Sequence, residues 1–277
     1  MTFLSLNRFK QLDKRDITVR RLFMALLRRL ANVPHLIAWY LPWGFAKENR
    51  ERLEKFKNIH KGKRCFIIAN GPSLKKIDFD LLKYEYTFGM NRIYLMEGVN
   101  GFKPNYLACI DKKSQLLQFT DEYNDQKGIC FYEWNLRHLF DKKENFIFIK
   151  GRFSPRFSTD PVKDKLGNGK TVTYAVIQLA YFMGFSQVFL IGKDHSYNTT
   201  EKAGKGIMST GKESNHFIQG YYKSGQNWDA PDYKTEEFAY ELARVAYEGN
   251  GREIKDATIG GKLDIFEKVD FYSLFQE

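Results

Sequence analysis

The 277 residues are 43% hydrophobic and 16% aromatic, which allows a packed core and excludes a disordered chain. The three cysteines, Cys65, Cys109 and Cys130, are odd in number and form no CxxC pair, so a disulfide scaffold is excluded and reduced thiols are expected. The net charge of +11 is unevenly placed: residues 1–63 hold 15 Lys+Arg against 5 Asp+Glu, and the other 214 residues hold 29 against 28. A basic arm on a balanced body argues against a nucleic-acid enzyme, whose binding face would itself be positive.

From the N-terminus, residues 17–33 predict an amphipathic helix. Val19, Leu22, Phe23, Leu26, Leu27 and Leu30 share one arc, and Arg20, Arg21, Arg28 and Arg29 lie on the other. Pro34 is expected to stop or kink this helix. Trp39, Tyr40 and Trp43 follow, residue types that settle at a bilayer interface. The arginines and the proline break the apolar run before the ~20 residues that a span needs. No A-x-A site follows an apolar stretch, as a signal peptide would require. The expectation is an arm, residues 1–60, whose first 45 residues lie on an anionic membrane surface, at the cytoplasmic face of an inner membrane. The alternative is a helical hairpin packed on the core or on a second subunit of a homo-oligomer.

Residues 61–277 alternate strand and helix. Residues 64–70, 87–91, 106–110, 128–134, 146–149 and 187–191 are short apolar runs that predict strands. Residues 77–84, 171–183 and 235–248 predict helices, with Gly184 closing the second. This is an α/β pattern with a mainly parallel sheet, and a ligand is expected at the carboxyl ends of its strands. Those ends carry Asn70-Gly71, Asn91, Asp111 and Gly192-Lys193-Asp194-His195.

Three motifs bear on chemistry. Asn70-Gly71-Pro72-Ser73 is a tight strand-to-helix turn whose N–H groups and Ser73 hydroxyl suit a phosphate; an ordinary turn is the alternative. Gly167-Asn168-Gly169-Lys170-Thr171 resembles the tail of a Walker A loop, but Asp164 stands where the first Gly is needed, so a P-loop kinase is rejected. Asp78-Phe79-Asp80 matches a metal-binding DxD formally, yet its place at a helix start fits capping better. No spacing suggests zinc or a hydrolase elbow. His195 stands at a strand end. His216 stands in a long polar loop, residues 198–233, that reads as a lid with too few apolar residues to be core.

Cys65 through Leu74, Gly89-Met90-Asn91, Thr171 through Gly184, and Phe189 through His195 together resemble the MptE-like domain family, which is linked to bacterial lipooligosaccharide sialyltransferases. Asn215-His216-Phe217 and Ala257 through Leu263 add to the likeness, which spans about residues 62–271. It implies a Rossmann-like domain of the GT-A type with a small lid, and a donor such as a CMP-activated acidic sugar held without metal or other cofactor. By motif, Asn70, Gly71, Pro72 and Ser73 would meet the donor phosphate and ribose, and Asn91 the nucleotide or sugar. Asp111, Thr171, Thr173, Gly192 and Asp194 would line the neighbouring strand ends. The sequence departs from the sialyltransferase pattern where Gly220 takes the place of the base, Gly169-Lys170 replaces an Arg, and Ser196, beside Tyr197, replaces a phosphate-binding Tyr.

The leading expectation is therefore sugar transfer onto a surface-glycan or lipid-linked acceptor. His216 or His195 would be the base, and Lys170, Tyr197, Tyr221 or Tyr222 would steady the leaving phosphate. The alternatives are a pterin pyrophosphokinase using ATP and magnesium, with Asp111 and Asp194 as the carboxylates, and a non-catalytic nucleotide sensor.

Overall fold

The computed structural model describes residues 19–276. The chain divides into two compact units between Lys47 and Glu48. In the first, α1 (Val19–Tyr40) is one continuous helix with Pro34 inside it, so of the expected stop or kink the stop is corrected. Pro34 is exposed, where water can satisfy the carbonyl four residues back that loses its N–H partner. Residues 17 and 18 of the expected helix lie outside the described residues. The next helix, α2 (Gly44–Glu54), runs across the division.

The second unit is a Rossmann-like α/β domain. Its strands are β1 (Arg64–Ile68), β2 (Tyr86–Met90), β3 (Tyr106–Cys109), β4 (Ile129–Glu133), β5 (Phe146–Ile149) and β6 (Gln187–Ile191), then β9 (Glu253–Asp256) and β10 (Glu267–Lys268). They form one sheet in the order β10-β9-β6-β1-β2-β3-β4-β5, with every pairing parallel. The six predicted strands are all present, while β9 and β10 went unpredicted. Strands β1, β3 and β6, and β5 at the edge, are buried along nearly their whole length. That explains why they read as continuous apolar runs and not as alternating ones.

Between β2 and β4 lie two short helices, α3 (Glu97–Asn100) and α4 (Thr120–Asn124). Helix α5 (Val172–Phe182) is buried at every position, and Gly184 stops it at φ +91°. A side chain there would meet the backbone of Asn58 and Lys61 at 3.0 Å. Residues 77–84 form only a 3-10 turn, Phe79–Leu82, where Asp78 accepts from Asp80 N at 3.0 Å. Asp78-Phe79-Asp80 is thus a capping motif. Inside residues 198–233 a two-stranded antiparallel hairpin, β7 (Gly206–Met208) and β8 (Asn227–Asp229), precedes α6 (Tyr233–Glu248).

The chain steps outward from β1 to β5, then returns to place β6 on the other side of β1. The crevice between the carboxyl ends of β1 and β6 is the topological switch point, where open α/β sheets bind ligands.

Candidate functional site

The turn after β1 is built against the end of β6. Gly71 N donates to Gly192 O at 2.9 Å. A Cβ on Gly71 would lie 1.8 Å from Asp194 Oδ2, so the position is closed to any other residue by space and not by its ordinary φ of −71°. Pro72 opens a 3-10 turn, Pro72–Lys76. The N–H and hydroxyl of Ser73 donate to the Asp194 carboxylate at 3.1 and 2.6 Å. Asp194 is thus a brace across the switch point, held by the same Ser73 that was expected to meet a donor. Asp111 is similarly engaged, accepting from Ser114 N at 3.0 Å, and burial raises its pKa.

The two strand-end asparagines are different. Asn70 donates through Nδ2 to Met90 O at 3.0 Å, but its Oδ1 is buried without a partner. Asn91 takes the left-handed conformation, φ 49°, and its buried Oδ1 is also unpartnered. The register pairs Ile68 with Gly89, so each asparagine lies two residues beyond a paired position on adjacent strands. An unmet buried acceptor costs about 1–3 kcal/mol, and a strained non-glycine backbone costs a similar amount. Two buried, unpartnered acceptors thus lie side by side at the ends of β1 and β2.

Helix α5 starts at the same edge, since Thr173 Oγ1 lies 3.4 Å from Met90 Sδ. Its N-cap, Thr171, makes no side-chain cap, and its hydroxyl accepts from Tyr240 at 3.4 Å. Uncapped first-turn N–H groups favour an anion. Lys170, at φ 60°, is exposed and spends its N–H on Asn168 Oδ1 at 2.9 Å. Gly167 and Gly169 are required by packing, since a Cβ would meet Arg156 O at 2.1 Å or Ala239 Cβ at 2.6 Å.

Over the ends of β1 and β2 lies the 198–233 segment. Phe217 N donates to Asn70 O at 2.9 Å. Phe217, Tyr221, Tyr222 and Trp228 are buried, which corrects the reading of this loop as too poor in apolar residues for a core. Four large rings bury more area than their number suggests. His216 is 8% exposed and stacks flat on Tyr221, with centroids 3.9 Å apart and planes 2° apart. Tyr222 and Tyr197 meet it edge-on at 5.6 and 6.0 Å. Burial pushes its pKa down to about 4, against Glu213 and with help from Arg92. The imidazole is therefore neutral at physiological pH, and not the near-neutral titrating group that an isolated histidine would be.

A model of the family described as 6-hydroxymethylpterin diphosphokinase MptE-like matches residues 45–200. The chain belongs to this family. The matched span begins inside α2 and ends where the lid segment begins, so Asn215-His216-Phe217 and the 257–263 segment lie beyond it. No curated protein matches the chain. Among solved structures, the MAf glycosyltransferase from Magnetospirillum magneticum AMB-1 is 14% identical at a TM-score of 0.48, over 86% of this chain and 40% of that one. This chain thus spans about two fifths of that protein's length. The sialyltransferase CstII from Campylobacter jejuni, solved with cytidine-5'-monophosphate, is 14% identical at 0.43, over 76% of this chain and 85% of that one. A mammalian sialyltransferase, solved with Gal-beta-1-3GalNAc-ortho-nitrophenol, is 11% identical at 0.39, over 83% and 86%.

Within this family member the expected site residues fall into two groups. Asn70, Gly71, Pro72, Ser73, Asn91, Thr173, Gly192, Asp194, His216 and Tyr221 gather at the ends of β1, β2 and β6. Tyr222, whose hydroxyl is bonded by Gln115, adjoins them through the His216 stack. Tyr197 stacks on Trp228 at 5.8 Å and bridges to the second group. His195, at φ 53°, turns towards α6: its Nε2 is 3.1 Å from Glu237, and its buried Nδ1 lacks a hydrogen-bond partner at 4.0 Å from Glu236. Burial, and then the neighbouring Lys193, lower its pKa.

Two cations went without a role in the sequence reading: Arg92, which it missed, and Lys193, noted only as part of a strand end. Arg92 directly follows Asn91 and is buried. Its N–H donates to the Tyr221 hydroxyl at 3.1 Å, and its guanidinium donates to Tyr221 O, to Glu122 at 2.9 Å and to Tyr94 at 3.2 Å. It also lies 3.9 Å over the Phe119 ring. Lys193 pairs with Glu236 at 2.8 Å, both nearly buried; burial lowers the lysine pKa, but Glu236 together with the Tyr240 and Tyr197 hydroxyls outweighs it and raises the pKa. The sequence signal for both is a cation one or two residues past an apolar strand.

Proposed function

We propose that the protein is a glycosyltransferase that takes an acidic sugar from a CMP-activated donor and places it on a glycan or lipid-linked acceptor, without a metal. The observation that carries this reading is the pair of buried, unpartnered amide oxygens, Asn70 Oδ1 and Asn91 Oδ1, beneath a lid that carries a neutral imidazole. Ribose hydroxyls and the cytosine amino group supply the missing donors. The first turn of α5 faces the donor phosphate. The acceptor hydroxyl oxygen forms the new bond to the anomeric carbon, the carbon–oxygen bond to the phosphate breaks, and CMP leaves with the electron pair. His216 takes the hydroxyl proton, and the helix terminus with the Tyr197 and Tyr222 hydroxyls steadies the leaving group.

The family description favours a second reading, pyrophosphoryl transfer from ATP to a pterin. That chemistry needs carboxylates for magnesium, and Asp111 and Asp194 accept from Ser114 and Ser73 instead. The test is thermal denaturation with CMP, CDP, UDP, GDP and ATP, each with and without Mg²⁺. A ligand at a hundred times its Kd stabilises the fold by about 2.7 kcal/mol. CMP is expected to raise the melting point without metal, and an Asn70→Ala, Asn91→Ala double variant to lose the shift. Stabilisation by ATP alone, and only with Mg²⁺, would replace this reading with the pyrophosphokinase.

A further inference from the structure

The amphipathic face of α1 is uncovered along its length. Val19, Leu22, Phe23, Leu26, Leu27, Leu30, Val33 and Ile37 are all more than 40% exposed, with Ile37 at 60%. Because the helix continues through Pro34, the stripe does not stop at Leu30 but extends to Ile37, and exposed Trp43 lies just beyond the helix. Soluble proteins seldom leave so long an apolar stripe to water. Its charge says what covers it. The helix sequence carries Arg20, Arg21, Arg28 and Arg29 and no Asp or Glu. A second copy packed stripe to stripe would leave the arginines of both helices on the outer arcs, with no acid of either helix to offset them. An anionic surface meets both features at once. No described helix is long and apolar enough to cross a membrane.

We propose that α1 lies in the plane of an anionic bilayer surface, with its apolar stripe in the acyl boundary and its arginines on the lipid phosphates. The helix thereby holds the protein where a lipid-linked substrate is found. The docking itself does not depend on which group-transfer reaction the second unit performs.

The test is co-sedimentation of the full chain with phosphatidylcholine vesicles, with and without about one third phosphatidylglycerol. Binding is expected only to the anionic vesicles, and high salt should weaken it. An Arg28→Gln, Arg29→Gln variant should bind about thirtyfold more weakly. A Leu26→Ser, Leu30→Ser variant should lose about a hundredfold or more. All four residues are exposed, so circular dichroism should show both variants folded as the parent. Equal binding to neutral vesicles, or none to either kind, would overturn the proposal. So would a dimer in sedimentation equilibrium that the leucine variant dissolves, since the stripe would then be a self-interface.

Discussion

His216 and His195 occupy opposite circumstances in one domain. His195 is held by its neighbours: Glu237 takes one ring nitrogen, Tyr233 packs edge-on at 4.4 Å, and the Lys193–Glu236 pair fills the space beside the other. His216 has no hydrogen bond to either ring nitrogen among the described residues and is oriented by stacking alone, on a tyrosine that Arg92 grips by hydroxyl and carbonyl. Carboxylates next to an imidazole are the usual mark of an activated base. Here they belong to the histidine whose other nitrogen faces into the protein. The proposed assignment of the base to His216 rests on its place in the segment that Phe217 ties to Asn70, and it favours the histidine without a hydrogen-bonded carboxylate.

The contrast breaks first at the two cations. Lys193→Met leaves Glu236 buried and unpaired, at a cost of about 3–5 kcal/mol in chemical denaturation, while turnover per folded molecule should hold. Arg92→Met should cost less stability, because Glu122 is 42% exposed, yet slow turnover about tenfold by freeing Tyr221 and the ring stacked on it. The reverse pattern would place the working site beside α6.

Acid sharpens the comparison further. The folded pKa of His216, about 4, lies below the value of about 6.5 for an unfolded chain, so the unfolded state takes up the proton first as pH falls. Stability contributed by the neutral ring is complete above about pH 6.5 and is lost as pH falls towards 4, by up to about 3 kcal/mol. His216→Gln should flatten that part of the stability curve. The acid limb of kcat/KM should likewise fall near pH 4 and not near 6.5. The smallest expected effect is that of Ser73→Ala, about 1 kcal/mol in thermal stability, because Asp194 keeps its bond from the Ser73 N–H. A larger loss would mean that the brace across the switch point depends on the hydroxyl.

The parallel sheet was legible because buried strands such as Phe146–Ile149 are unbroken apolar runs, and α5 because it is apolar on every side and ends at a glycine. Asn70 and Asn91 were legible because they follow such runs directly. Arg92 was not, since Glu122 and Tyr221 come to it from two distant segments. The burial within residues 198–233 was missed because Phe217, Tyr221, Tyr222 and Trp228 are diluted among polar residues, although large rings dominate area where they gather. Pro34 does not stop the helix because a proline forbids a hydrogen bond locally but does not forbid the next turn of helix when water can take the freed carbonyl. That Ser73 and Asp194 face one another had no sign in the sequence, because they lie 121 residues apart.

The assignment of the base stands or falls on single-turnover transfer from a CMP-activated acidic sugar, at saturating donor, in His216→Ala and His195→Ala. The predicted result is a loss of about 10²–10⁴-fold in the first variant, the usual scale for a lost general base, with donor affinity retained. The second should stay within about tenfold of the parent, as a residue that acts only through packing. Full chemistry in His216→Ala beside a dead His195→Ala would contradict the account and move the base to the α6 side of the switch point.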